Sequence, residues 1–573
     1  MNNLKEGTDK SIFKQIFPHL IAILCFFVIT MVYFSPVFQG KTLSQGDINH
    51  YAGAVHELEE YYKNEGVSSA WTGSMFSGMP AYQIGIIGGL PNFLNYLDEP
   101  LKILDAATAG SICAAMIMAY ILFLAMGFGI TTSVLGAIAY ALASYNIIII
   151  DAGHLTKVWS LVYLPLVMAG VVTLFKRKYW LGTLLLALGI AFQIKNNHLQ
   201  ITYYTGLLCV IVYLGFFIKE IVKGRYKDIF KILGFSLIAL LLAVSSNIAN
   251  LYANYEMSKE STRGQSELTT PTASEKKSSG LDKDYAFDWS YGKMETFTML
   301  IPDIHGGSSG SKIDNTSALY KAGAANGLQL QMSPSYWGDQ PFTSGPVYFG
   351  AIVCFLFVLG MIIIKNKMKW VLLAATIFFV FLSWGYNFDA FNSWLFYNFP
   401  LYNKFRTVSM ALVIPSLTIL VIAVWAVNEF YSGKTDPKKL LKALYWSLGI
   451  TGGLCFFFWL LPDFFFNFTS VNDVKLESQV GTQNWGWFYT ALLEDRKDML
   501  TADALRSLLY IVLAAAVLWV SLKVKDKGNL TIWGPAILAL LVLIDLWTVD
   551  RRSVDDSHFH PKMGRMAQTV HKS

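Results

Sequence analysis

Apolar runs of about 20 residues recur along nearly the whole chain, and they limit what it can fold into. A run that long spans the roughly 30 Å hydrocarbon core of a bilayer as one helix. Lipid offers no hydrogen bonds, so a segment there must satisfy its own backbone, which a helix does. Such runs lie at 16–38, 107–127, 130–150, 156–175, 179–195, 199–218, 229–251, 346–364, 370–386, 407–430, 440–462, 503–522 and 530–549. The pattern predicts an all-α polytopic membrane protein of about 13 transmembrane helices. Only 15% of the residues are charged, against about 25% in soluble domains. The net charge of +6 is no nucleic-acid footprint, because the basic residues fall in short clusters between the runs. Cys25, Cys113, Cys209, Cys354 and Cys455 all sit inside apolar runs, which reads as packing rather than metal binding or disulfides. The first run has basic residues before it and no small-residue cleavage site after it, so it reads as a retained span.

The basic clusters orient these spans. Lys5, Lys10 and Lys14 precede the first span, and Lys176, Arg177 and Lys178 follow the fourth. Lys219, Lys223, Arg225 and Lys227 follow the sixth, and Lys365, Lys367 and Lys369 the eighth. Lys434, Lys438 and Lys439 follow the tenth, and Lys523, Lys525 and Lys527 the twelfth. Every cluster then falls on one side, which the positive-inside rule makes cytoplasmic. The opposite side carries the long segments. The expected organisation is an N-terminal transmembrane module 1–251 with a first outer loop 39–106, a large outer loop 252–345, C-terminal helices 346–549 and an outer tail 550–573. Segments 387–406 and 463–502 join that outer face. No glycine fingerprint of a nucleotide site stands in a strand–helix frame. The stretch Gly306-Gly307-Ser308-Ser309-Gly310 reads as a flexible outer loop.

Within the first outer loop, Asp47 precedes a segment whose apolar and aromatic residues at 51, 55, 58 and 62 repeat at helical spacing. That spacing predicts an amphipathic helix on the membrane surface. Segment 84–106 also reads as interfacial. An Asp just before a helix is a standard N-cap. It is equally a carboxylate at the lipid–water boundary, where a lipid-bound and a water-soluble substrate can meet, and both readings stay open.

A first span, an acidic residue soon after it, interfacial helices and many further spans with large outer loops together resemble the GT-C glycosyltransferases. More narrowly, Gln45-Gly46-Asp47-Ile48, Phe76-Ser77-Gly78-Met79-Pro80, Gly153-His154-Leu155-Thr156-Lys157, Asn197-His198-Leu199-Gln200 with Tyr203-Tyr204, and Tyr402-Asn403-Lys404-Phe405-Arg406 resemble the YfhO family of bacterial membrane proteins. The similarity runs over nearly the whole chain through short motifs. Such relatives often continue into an extracytoplasmic C-terminal domain, which is expected to be absent or truncated here because Ser573 soon follows the last span.

The resemblance implies a GT-C-like bundle in the bacterial cytoplasmic membrane, with the N-terminus inside and the active face outside. It implies transfer of a sugar from a polyprenyl-phosphate carrier to a glycan, lipid or envelope polymer. Asp47 would be the general base that takes the acceptor's proton. Arg406, with Lys404 and Lys157, would stabilise the leaving phosphate. Asp151, His154, His198, Gln200, Trp337 and Asp339 would contact substrate. The residues also allow plainer roles. Arg406 and Lys404 could snorkel to headgroups, and Asp151, His154 and Lys157 could form a salt-bridged hinge. Lys195 to His198 could be a solvated turn, and Glu295 and Asp303 structural surface groups. A divalent metal is compatible with the acidic and histidine residues, but no spacing calls for one. Other functional classes are a transporter or flippase of lipid-linked glycans, for which no internal repeat is evident, and a non-catalytic membrane scaffold. The partners expected are the lipid-linked donor, the acceptor and the bilayer, with no nucleic acid.

Overall fold

A computed structural model describes residues 2–85, 87–88, 92–264, 280–524 and 529–561. Among the described residues, nine helices are long and apolar enough to cross a bilayer, from Phe13–Tyr33 to Leu530–Asp550. Two further pairs qualify as bent units. Ile130–Ala141 with Ser144–Ala152 turns by 40°, and Met368–Ser383 with Gly385–Asn398 by 119°. Tyr179–Lys195 and Ala351–Ile363 are apolar but shorter. The chain is therefore a multi-pass helical membrane protein with nine to eleven spans by length and composition.

The helices pack around one continuous apolar core. Ala109–Met126, Leu155–Phe175 and Val413–Tyr431 are its most enclosed members. Lipid tails are as apolar as leucine, so close packing rather than water exclusion must hold such helices together. Small residues permit it. Gly170 faces the Leu186 backbone and Gly189 the Val167 backbone, so Leu155–Phe175 and Tyr179–Lys195 touch with no side chain between them. Outward-facing Phe230, Leu233, Leu237 and Leu241 on Tyr226–Ser245 present an apolar surface to a bilayer.

The bundle is polarised. At one end Arg177 pairs with Asp228 at 2.7 Å and Glu220 at 3.4 Å, which brings two basic turns together. The other end gathers the long segments. Lys41–Leu43 pairs antiparallel with Phe559–Pro561, joining segment 39–106 to the tail, of which 562–573 lies outside the described residues.

Several expected loops are more ordered than their sequence suggests. Segment 463–502, read as an outer loop, contains half of a helix running Thr482–Lys523. At 42 residues that helix is about 63 Å long and projects well beyond a bilayer. Its outer half is stabilised by Phe488, Ala491 and Leu492, which pack on Leu319 of the short helix Ala318–Ala325. The glycine-rich 306–310 stretch, expected to be flexible, begins as a packed turn. Gly306 has φ +83, and a Cβ there would lie 2.0 Å from the Ser335 carbonyl oxygen. Glu295 and Asp303, read as surface groups, are buried. Residues 265–279 of the large loop lie outside the described residues.

Candidate functional site

The site is built at the long-segment end of the bundle, from the turn that joins Ser144–Ala152 to Leu155–Phe175. Gly153 occupies that turn with φ +86, and a Cβ there would lie 3.1 Å from Gln45 Cβ and 3.2 Å from Ile48 N. Glycine thus lets segment 45–48 lie directly on the turn. Buried Gln45 locks the contact by donating from Nε2 to the Ile150 carbonyl.

This contact settles the local role of Asp47. The Gly46–Glu65 helix takes Gln45 as its N-cap, with no side-chain capping bond, so Asp47 is inside the first turn and is not the cap. Its Oδ2 instead lies 2.5 Å from His154 Nδ1. Burial first, then the positive charge of Lys157, pulls the His154 pKa down, while Asp47 opposes them. A neutral imidazole has one donor nitrogen. Nδ1–H therefore donates to Asp47, and Nε2 carries the lone pair. The salt-bridged hinge of Asp151, His154 and Lys157 does not form in that way, because the partner of His154 is Asp47. Asp151 lies toward His558 and Lys312 instead.

Two further segments close on this pair. His198 precedes the Leu199–Val222 helix, and its Nδ1 accepts from Ile201 N at 3.4 Å. Burial, then the nearby Lys157, pushes the His198 pKa down to about 3, so the ring is neutral. The turn before it is structured rather than merely solvated. Lys195 sits 2.6 Å from buried Asp98, which Lys102 also approaches at 3.0 Å. Gln200 Nε2 donates to the Arg406 carbonyl at 2.8 Å, and Tyr203 Oη to the Pro400 carbonyl at 2.8 Å. These bonds fasten the 402–406 strand of chain to the bundle.

Arg406 turns its guanidinium to Tyr285, donating to the phenol oxygen and lying 5.3 Å from the ring centroid. Its charge reaches His154 and also Arg263, whose own pKa is lowered by burial and then by Arg406. Lys404 Nζ donates to the Arg263 carbonyl at 2.6 Å. Arg263 and Tyr285 were not legible in the sequence. They come from segment 252–345, where no periodicity marks a contact with residue 406.

The structure thus brings together Asp47, His154, Lys157, His198, Gln200, Lys404 and Arg406, and adds Arg263. It places Trp337 and Asp339 elsewhere. Trp337 stacks on His305 with centroids 4.2 Å apart, and Asp339 accepts from Asn387 at 2.8 Å. Arg406 is exposed and rests on Tyr285. Among the described residues no group of three or more His, Cys, Asp or Glu side chains could hold a metal ion.

Chemically, one exposed carboxylate with a neutral histidine faces an excess of fixed cations. That combination suits proton acceptance beside a bound anion. Segment 39–106 carries exposed apolar side chains, among them Phe76, Phe93, Tyr96, Leu97 and Ile103. This is the surface expected of an interfacial segment. No protein-family model, curated protein or solved structure matches the chain.

Proposed function

We propose that the protein is a membrane glycosyltransferase that moves a sugar from a polyprenyl-phosphate carrier to an acceptor on the extracytoplasmic side of a bacterial cytoplasmic membrane. The observation that carries this reading is the convergence of Asp47 and His154 with Lys157, Arg263 and Arg406 from separate segments of the chain. A phosphate at the lipid surface requires fixed cations, and an attacking hydroxyl requires a base, and both stand here within electrostatic range of one another.

In this reading the acceptor oxygen forms a bond to the anomeric carbon while the bond from that carbon to the carrier phosphate breaks. The hydroxyl proton passes to Asp47. The bonding electrons leave with the phosphate oxygen, whose growing charge Arg406, Arg263 and Lys157 stabilise. His154 holds Asp47 by one oxygen and leaves the other for the proton. The acceptor is a glycan, lipid or envelope polymer.

The test is transfer by the full chain reconstituted with a polyprenyl-phosphate-linked sugar. Asp47→Asn keeps an acceptor for His154 and loses basicity, so it should fold and lose roughly 10²–10⁴-fold in turnover. Arg406→Ala should lose on the order of 10²-fold. Full turnover by the Asp47→Asn protein would falsify the base assignment. The bent helix pairs lend some support to a transporter, since broken helices line many transport sites. Uptake of a lipid-linked glycan into proteoliposomes with no chemical change would favour that reading.

A further inference from the structure

A second concave site lies apart from the Asp47–Arg406 cluster. It is a cleft of about 590 Å³ between the large outer loop and segment 463–469, with Glu295, His305, Trp337, Asp339 and Phe466 in its wall. That volume falls in the usual range of small-molecule sites.

Its wall is left chemically incomplete. Trp337 is 6% exposed and His305 is 8% exposed, yet neither Trp337 Nε1 nor His305 Nδ1 has a hydrogen-bond partner among the described residues. Buried polar groups are normally paired, and leaving one unpaired costs about 1–3 kcal/mol. The two rings are rigidly placed. They stack 4.2 Å apart, Trp337 N donates to the His305 carbonyl at 3.0 Å, and Phe466 packs edge-on at 5.6 Å from Trp337.

The carboxyl groups narrow the choice of ligand. Glu295 is held by Gly292 N at 2.9 Å, Tyr336 Oη at 2.7 Å and Gln340 Nε2 at 3.1 Å. Asp339 is exposed beside it, and Asp463 stands at the rim, paired to Lys497 at 2.6 Å. Lys293 also lines the cleft, so its charge is mixed, and the exposed Asp339 carboxylate accepts hydrogen bonds from hydroxyl groups. An indole N–H can only donate, so it requires an acceptor on the ligand. A ligand whose neighbouring atoms both donate and accept meets all these demands, and its C–H face can lie on the aromatic rings.

We propose that this cleft is a binding site for a neutral, hydroxyl-rich ligand of the saccharide class. The site does not depend on the transfer reading, because none of its groups belongs to the Asp47–Arg406 cluster.

The experiment is saturation-transfer NMR on the full chain in detergent, with glucose, N-acetylglucosamine and maltose as probes and methyl phosphate, whose methyl protons report binding, as the contrast. Saccharide signal is expected and phosphate signal is not. Trp337→Phe keeps the ring and removes the N–H, and Asp339→Asn removes an exposed charge, so both proteins should fold, as thermal unfolding checks. Each should weaken saccharide binding about tenfold or more, while Asp47→Asn leaves it unchanged. Absence of saccharide signal overturns the proposal. So does signal indifferent to both cleft variants, or signal abolished by Asp47→Asn, which would place the sugar at the other site. Since no transfer step is measured, failure here is separable from failure of the proposed activity.

Discussion

His154 and Asp47 meet because one glycine allows it. Gly153 combines a positive φ with near-contact to the Gln45–Ile48 backbone. Gly153→Ala should therefore destabilise the chain by about 1–2 kcal/mol from the left-handed conformation alone. It should also push segment 45–48 off the turn, lowering the proposed transfer more than it lowers the melting temperature; a loss confined to stability would contradict this account of the contact. Glu295 offers a second test at this scale. Burial pushes its carboxyl from the ordinary 4.5 up to about 7, against three hydrogen bonds that act the other way. The native state thus favours the neutral acid. That contribution is fully present below about pH 4.5 and is lost as pH rises through about 7. Thermal unfolding of the wild type should show this decline, of order 3 kcal/mol. Glu295→Gln should flatten it over the same window, and an unchanged slope would exclude Glu295 as its source.

At the scale of elements, a clamp of charges joins three long-segment parts of the fold. Arg552, just past the last helix, donates to Asp303 at 2.8 Å and to both oxygens of Asp503, at 2.6 and 2.7 Å. Asp503 also accepts from Asp303 N at 2.9 Å. The tail, the large loop and the Thr482–Lys523 helix are therefore fastened together. Asp303 and Asp503 are buried, so removing their cation leaves two unpaired carboxylates. Arg552→Ala should cost roughly 3 kcal/mol, at the low end for buried pairs because the arginine is partly exposed. Arg552→Ala combined with Asp303→Asn and Asp503→Asn should recover much of that loss in a denaturation series. A nearby pair works inside the bundle. Arg506 meets Asp545 at 2.9 Å, and Asp545 accepts from Ala351 N at 3.1 Å at the start of Ala351–Ile363. A buried carboxylate there complements the positive end of the helix. Both charges stand in predicted spans, and a polar group in a span usually faces a partner, but the sequence does not say which one.

At the scale of the whole molecule, one end of the bundle carries short basic turns and the other carries the sites. The charge rule predicts that the site end is extracytoplasmic. In a cysteine-free background, Cys introduced for Glu256 or Asp556 should react with an impermeant thiol reagent from outside intact cells, and Cys for Lys227 or Lys438 should not. The reverse pattern would invert the topology. The helical membrane class was legible in the chain, because hydrophobic length is a local property of the sequence, although nine to eleven spans stand where about 13 were expected. The fold brings the motifs at 45–48, 153–157, 197–200 and 402–406 to one place. The pairing of Asp47 with His154 rather than with a helix cap, the recruitment of Arg263 and Tyr285, and the separation of Trp337 and Asp339 were not legible. Each depends on contacts between segments tens to hundreds of residues apart, which no periodicity encodes. The same holds for the long helix through 482–502 and the packed turn at Gly306, where order comes from burial against distant elements. Local hydrophobicity sets which segments enter the membrane, and only packing in three dimensions selects which polar groups are left facing one another at its edge.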